Sequence, residues 1–139
     1  MVQLIIGDKG KGKTKQLLDK VNEAIQTASG NIVYLDKSTK HMYELNNKIR
    51  LIDVSGFPLK NSDEFIGFVC GILSQDHDLE EMYLDSFIKI AQLGDEDVTD
   101  TILQLDAIGE KFGVKFVISV TLNENTINDA LKDKVIISV

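Results

Sequence analysis

The residues with the clearest chemistry lie in the stretch GDKGKGKT, positions 7 to 14. Gly7, Gly12, Lys13 and Thr14 occupy the fixed positions of G-x-x-x-x-G-K-[ST], and Gly10 completes the common G-x-x-G-x-G-K form. Glycines permit backbone angles that side chains forbid and let amides approach a ligand closely. Successive N–H groups then point into one concavity and bind phosphate oxygens. A helix beginning near Lys13 adds the positive end of its dipole. In such a loop the lysine ammonium reaches the β- and γ-phosphates of a nucleoside triphosphate, and the Thr14 hydroxyl holds Mg²⁺. The candidate binding segment is therefore Gly7, Asp8, Lys9, Gly10, Lys11, Gly12, Lys13, Thr14 and Lys15. The pattern itself does not demand Lys9, Lys11 or Lys15. A solvated basic rim is their plainer reading. Their functional reading is extra charge for the triphosphate or for a partner's acidic surface.

A phosphate loop of this kind needs a carboxylate at the end of a neighbouring buried strand, to hold the water shell of the magnesium. Two residues have that form: Asp36, ending NIVYLD, and Asp85, ending EMYLD. Both follow an apolar run, at the strand end where open α/β sheets bind their ligands. Asp85 is favoured as the metal-shell residue. The plain alternative for either is a carboxylate that caps the turn after it.

The elements that must position these groups alternate short β-rich runs with longer helical ones. Val2 to Ile6, Asn31 to Leu35, Lys48 to Val54, Glu81 to Leu84, Lys115 to Val120 and Lys134 to Val139 read as strands. Thr14 to Thr27 reads as a helix with Leu17, Leu18, Val21, Ala24 and Ile25 on one face, stopped by Gly30. Asp63 to Leu73 reads as a second helix, capped by Ser62, and Asp97 to Phe112 as a third, ended by Gly113. The stretch DHDLEE reads as a solvated loop. Thr126 opens a short last helix, with Asp129 completing a capping box. Mostly apolar strands without alternation have both faces covered. Strands separated by helices of this length give βαβ units. The expected fold is a three-layer αβα sandwich around a mainly parallel sheet, in one domain over residues 1 to 139.

Composition sets limits on function. The net charge of −7 counts against a general nucleic-acid binder, which needs a basic face. The positive charge is concentrated, with Lys9, Lys11, Lys13, Lys15 and Lys20 in the first twenty positions, which points to a small anion gathered there. The apolar runs are far shorter than a membrane span, and a strand-like run begins at residue 2. Neither an anchor nor a signal peptide is expected, and the cytoplasm is the expected compartment. Cys70, the single cysteine, sits in FIGFVCGIL and reads as buried filler. His41 and His77 lie in polar segments without a second ligand at metal spacing and read as solvated. Tyr34, Tyr43 and Tyr83 read as strand packing rather than base stacking.

The loop, the NIVYLD strand, the segment from Asp63 to Leu79 leading into MYLDS, and KFVISVTLN together resemble the RecA-like branch of P-loop NTPases. That branch includes recombinases, ring helicases, KaiC-type proteins and secretion-motor ATPases. The resemblance covers most of the chain and implies ATP and Mg²⁺ as ligands. It implies Asp85, followed by Ser86, as the metal-shell residue. Thr121, or Asn123, is then the γ-phosphate sensor, and the chain acts with a protein partner or as a homo-oligomer. The family places a catalytic Glu after the second strand. Here YLDKSTK has Asp36 instead, with a shorter reach, so Lys13, Asp36 and Thr121 form the candidate catalytic set. The single arginine, Arg50, lies by a strand and reads as structural. The segment corresponding to the family's DNA-binding loops, LGDEDVTD, is acidic.

Three functions remain open at this level. The first is an ATPase, weak or stimulated by a partner. The second is a non-hydrolysing nucleotide sensor. The third, a small-molecule or nucleotide kinase, usually brings an arginine-rich lid, which this chain lacks. The guanine-specific N-K-x-D pattern is also missing, since NNKI at 46 to 49 has no Asp, so adenine is the expected base.

Overall fold

The computed structural model describes residues 1–139. Six strands form one parallel sheet: β1 (Val2–Gly7), β2 (Asn31–Asp36), β3 (Arg50–Asp53), β4 (Leu79–Leu84), β5 (Lys115–Thr121) and β6 (Val135–Ser138). Their spatial order is β3-β2-β4-β5-β1-β6. The helices are α1 (Lys13–Ala24), α2 (Ser62–Gln75), α3 (Phe87–Ile90), α4 (Thr99–Phe112) and α5 (Asp129–Lys132). The architecture is the expected three-layer α/β sandwich, with every strand pair parallel.

The two faces of the sheet are covered unequally. Leu4, Ile6, Val33, Leu35, Met82, Leu84, Phe116 and Ile118 pack with α2, α3, α4 and α5 in a core of 25 buried residues. Alternate positions along the same strands (Ile5, Ile32, Tyr34, Tyr83 and Val117) pack against α1 in a core of nine. Because side chains alternate along a strand, Tyr34 and Asp36, Tyr83 and Asp85, and Val117, Ser119 and Thr121 all share the α1 face. The polar residues therefore collect at one corner, where α1 begins and the carboxyl ends of the strands meet.

Several local readings are corrected by the structure. Strand β4 begins at Leu79, which is 6% exposed, so half of the expected acidic loop is pulled into the sheet. Asn61, not Ser62, caps α2, its side chain accepting from the Glu64 amide at 2.9 Å. Helix α4 starts at Thr99, with the Asp97 carboxylate accepting from the Thr99 amide at 2.7 Å. Asn128 caps α5 through the Ala130 amide, whereas Thr126 donates to the Asn123 carbonyl. Helix α1 ends at Ala24, three residues short of the expected end. Cys70 is half-buried rather than core.

Candidate functional site

The glycine loop joins the buried end of β1 to α1. Gly10 (φ 80°) and Gly12 (φ 94°) both have left-handed backbones, and the space around a Cβ at either position is open. Backbone conformation, not crowding, therefore requires glycine there. Gly12 is the N-cap of α1, with no side chain capping the first turn, so the first amides of the helix stay available. At the base of the loop Gly7 is required by close approach: a Cβ would lie 2.6 Å from Cγ2 of Val139.

The loop forms one wall of a cavity of about 920 Å³ along the carboxyl edge of the sheet. Lys9, Gly10, Gly12, Lys13 and Thr14 line it from the loop, and Ser119 and Thr121 from β5. Asp85 and Ser86 line it from the end of β4, and Lys37, Lys40 and His41 from the turn after β2. The Lys13 ammonium donates to the Asp8 carbonyl at 3.0 Å. Burial lowers its pKa, and the charges of Asp85 and Asp8 oppose that shift.

Asp85, 2% exposed, is where the elements converge. Its Oδ1 accepts from the Thr14 hydroxyl of α1 at 3.2 Å, the Ser119 hydroxyl of β5 at 2.9 Å and the Ser86 amide at 2.8 Å. Its Oδ2 accepts from the Tyr34 hydroxyl of β2 at 2.9 Å. Burial, then the charge of Asp85, raises the Tyr34 pKa far out of the accessible range, so this phenol stays a donor. Ser86 itself holds a left-handed backbone (φ 52°), uncommon for a residue with a Cβ.

Asp36 is equally buried at 2%, but it is not among the cavity-lining residues. Its Oδ1 accepts from the Lys37 amide at 2.7 Å, and its Oδ2 has no partner. Burial first, and the Asp85 charge second, raise its pKa above the ordinary carboxylate value. Asp85 is thus the one carboxylate on the cavity wall.

Not every residue singled out in the sequence reaches the cavity. Lys11 is exposed outside the lining, and Lys15 pairs with Asp19 at 2.8 Å along the outer face of α1. Asp8 contributes its carbonyl and is itself exposed. Arg50 stands at the amino end of β3, opposite the cavity edge, 3.9 Å from Asp76. His41 is not freely solvated: it lines the cavity, and its Nδ1 lies 2.6 Å from Glu44. Tyr34 and Tyr83 are fully buried in the strands, whereas Tyr43 is 93% exposed.

Sequence reasoning missed Lys37, Lys40 and Lys89 on the lining, and Tyr34 and Ser119 as partners of Asp85. A signal for the last two existed: each is a hydroxyl inside an otherwise apolar strand. With the loop lysines, five ammonium groups and one carboxylate face this cavity in a chain of net charge −7. Such a wall attracts a compact polyanion, and the loop amides suit phosphate oxygens. Thr14 and Asp85 offer hard oxygen donors of the type Mg²⁺ takes. No cluster of three or more His, Cys, Asp or Glu side chains is present, so a cation here would complete its shell from water and ligand oxygens.

The fold matches that of a KaiC-like protein from the hyperthermophilic archaeon Pyrococcus horikoshii. The match has a TM-score of 0.65 at 17% identity and covers 95% of this chain and 66% of that one. At that identity the likeness establishes the fold alone: a layered α/β domain built on a parallel sheet, similar to that of the KaiC-like neighbour. This chain spans about two thirds of that neighbour's length. No protein-family model and no curated protein matches the sequence.

Proposed function

We propose that the cavity binds ATP with Mg²⁺ and that the chain is a RecA-like, Mg²⁺-dependent ATPase with slow or partner-stimulated turnover. The observation that carries this reading is the hydrogen bond from Thr14 to the buried Asp85, at the mouth of a left-handed glycine loop lined by lysines. The loop amides and the N-terminus of α1 hold the β-phosphate, and Lys13 leaves the Asp8 carbonyl for the β- and γ-oxygens. Thr14 would hold a Mg²⁺ through its hydroxyl and Asp85 would hold it through water, and the bound cation would neutralise charge at the phosphate oxygens. Thr121, exposed at the cavity end of β5, donates to the γ-phosphate. Asp36, at the end of β2, is the carboxylate proposed to orient a water, and a partner or a second copy of the chain supplies what that short side chain lacks.

One observation favours a second reading, a nucleotide-dependent interaction protein that does not hydrolyse. Asp36 lies behind the cavity wall with a raised pKa, and Asp85 is already committed to four donors. The test is a titration of the purified chain with ATP, ADP and GTP, with and without Mg²⁺, following melting temperature and phosphate release. ATP at about a hundredfold excess over its Kd adds about 2.7 kcal/mol of stability. Magnesium should enlarge the gain, and Lys13→Ala should remove it. Stabilisation without phosphate release rules out unassisted turnover and favours the second reading. If millimolar ATP and GTP both leave the melting temperature unchanged, the nucleotide reading is wrong.

A further inference from the structure

The cationic wall extends well beyond the glycine loop. Lys9 and Lys13 stand on the β1 side, Lys89 follows β4, and Lys37 and Lys40 follow β2. In the sheet β2 is the third strand from β1, with β5 and β4 between them. At about 4.8 Å per strand the wall is about 14 Å long. None of these five lysines takes part in an ion pair; outside the cavity Lys15, Lys115, Lys132 and Lys134 do, and Lys11, Lys20, Lys48, Lys60 and Lys111 do not. What sets the five apart is that they converge, unpaired, on one cavity of an acidic protein. The loop and Lys13 suffice for the anion nearest β1, which leaves Lys37 and Lys40 without a function there. The turn that carries them is held in place by its own hydrogen bonds. The Lys37 amide donates to Asp36, the Lys40 amide donates to the Ser38 hydroxyl at 3.2 Å, and the Met42 amide donates to the Thr39 carbonyl at 3.1 Å. The only arginine is at the opposite edge of the sheet.

We propose that Lys37 and Lys40 bind the terminal phosphate of the nucleoside triphosphate, so that the chain supplies from its own β2 turn the charge otherwise brought by an arginine. The inference rests on the nucleotide reading above and sharpens it. A triphosphate seated in the loop turns its γ-phosphate towards Thr121 and Asp85, and the long side chains of Lys37 and Lys40 reach back to it from the β2 turn across the shared cavity. A diphosphate stops short of that reach. Lys37 and Lys40 thus distinguish the two ligands, while the loop binds both.

The test compares ATP and ADP affinities, measured by calorimetry, for the wild type and two double variants. Lys37→Gln/Lys40→Gln removes the two cavity ammoniums. Lys48→Gln/Lys60→Gln removes two exposed lysines outside the lining and changes the net charge equally. The cavity variant should lose about tenfold or more in ATP affinity and less than about threefold in ADP affinity. The control should change neither, and Lys37→Arg/Lys40→Arg should keep the preference for ATP. Both lysines are exposed, so the ligand-free melting temperature serves as the folding check. An equal loss for ATP and ADP, no loss at all, or a control that matches the cavity variant overturns the inference and leaves the nucleotide reading intact. A wild type that binds neither ligand refutes both.

Discussion

Asp85 and Asp36 end neighbouring strands, face the same side of the sheet and are buried to the same 2%. The protein treats them in opposite ways. Asp85 receives four donors from four directions, whereas Asp36 receives one backbone amide and leaves Oδ2 unpaired. A carboxylate with several donors is held in a fixed orientation with its polar atoms satisfied. One that is desolvated beside another negative charge is pushed towards its neutral form, the direction found for Asp36. Burial alone thus does not set the two carboxylates apart; the supply of donors does.

The largest effect is expected at Asp85. Asp85→Asn replaces an acceptor of four hydrogen bonds with a group that presents an NH₂ to at least one donor. The cost to stability should be about 2–3 kcal/mol, the scale of a lost charged hydrogen bond that leaves buried partners unpaired. The Mg²⁺-dependent part of ATP binding should fall about 10- to 100-fold. Denaturant unfolding and titration with and without Mg²⁺ check the two parts. Asp36→Asn should affect the Mg²⁺-dependent part less; the reverse order would reassign the metal-shell carboxylate.

Tyr34→Phe probes the same comparison from the donor side. It leaves Asp85 Oδ2 buried without its phenol, making Asp85 more like Asp36. A loss of about 1–2 kcal/mol is expected, with a smaller loss of Mg²⁺-dependent binding than in Asp85→Asn. No change in unfolding free energy would mean that this hydrogen bond does not anchor Asp85.

This hydrogen bond also shows what was legible in the sequence. The alternation of apolar runs and amphipathic segments was enough for the α/β class, the parallel sheet and the three layers. The loop could be read because all its residues lie within eight positions, and Asp36 and Asp85 because each closes an apolar run. The side-chain donors to Asp85 come from positions 14, 34 and 119, which meet only because β4 lies between β2 and β5. Strand order is a non-local property that no short window carries. The lysines at 37, 40 and 89 were overlooked for the same reason. Helix α3, four residues long, is too short to show a period.

Asp36→Asn should move stability in the opposite direction to Asp85→Asn. The folded-state pKa of Asp36 is raised, so folding favours its protonated form. Its contribution is fully present below the unfolded pKa of about 3.9 and is lost as pH rises through the folded value. At neutral pH the wild type carries the cost of a buried charge that the amide avoids. The variant should be more stable by about 1 kcal/mol at pH 7 to 8, and the advantage should shrink towards pH 4. Melting curves across that range test the sign. A variant less stable at pH 7 would mean that the Asp36 carboxylate is held by donors, as that of Asp85 is.

The smallest effect is expected at Lys15, which separates the motif from its surroundings. Lys15 follows Thr14 directly, so proximity in sequence made it part of the candidate segment. One residue further along α1 turns the side chain about 100° around the helix axis, away from the cavity that Thr14 faces. Its ammonium lies on Asp19, both side chains more than half exposed, and that contact raises its pKa. Exposed pairs at this spacing are screened by solvent and contribute little. Lys15→Ala should therefore leave both melting temperature and ATP affinity unchanged within error. Lys37 and Lys40, more than twenty positions from the loop, should matter more than this immediate neighbour. A clear loss of ATP affinity in Lys15→Ala would show that the triphosphate site reaches around α1, and that the wall running to β2 is not its main extension.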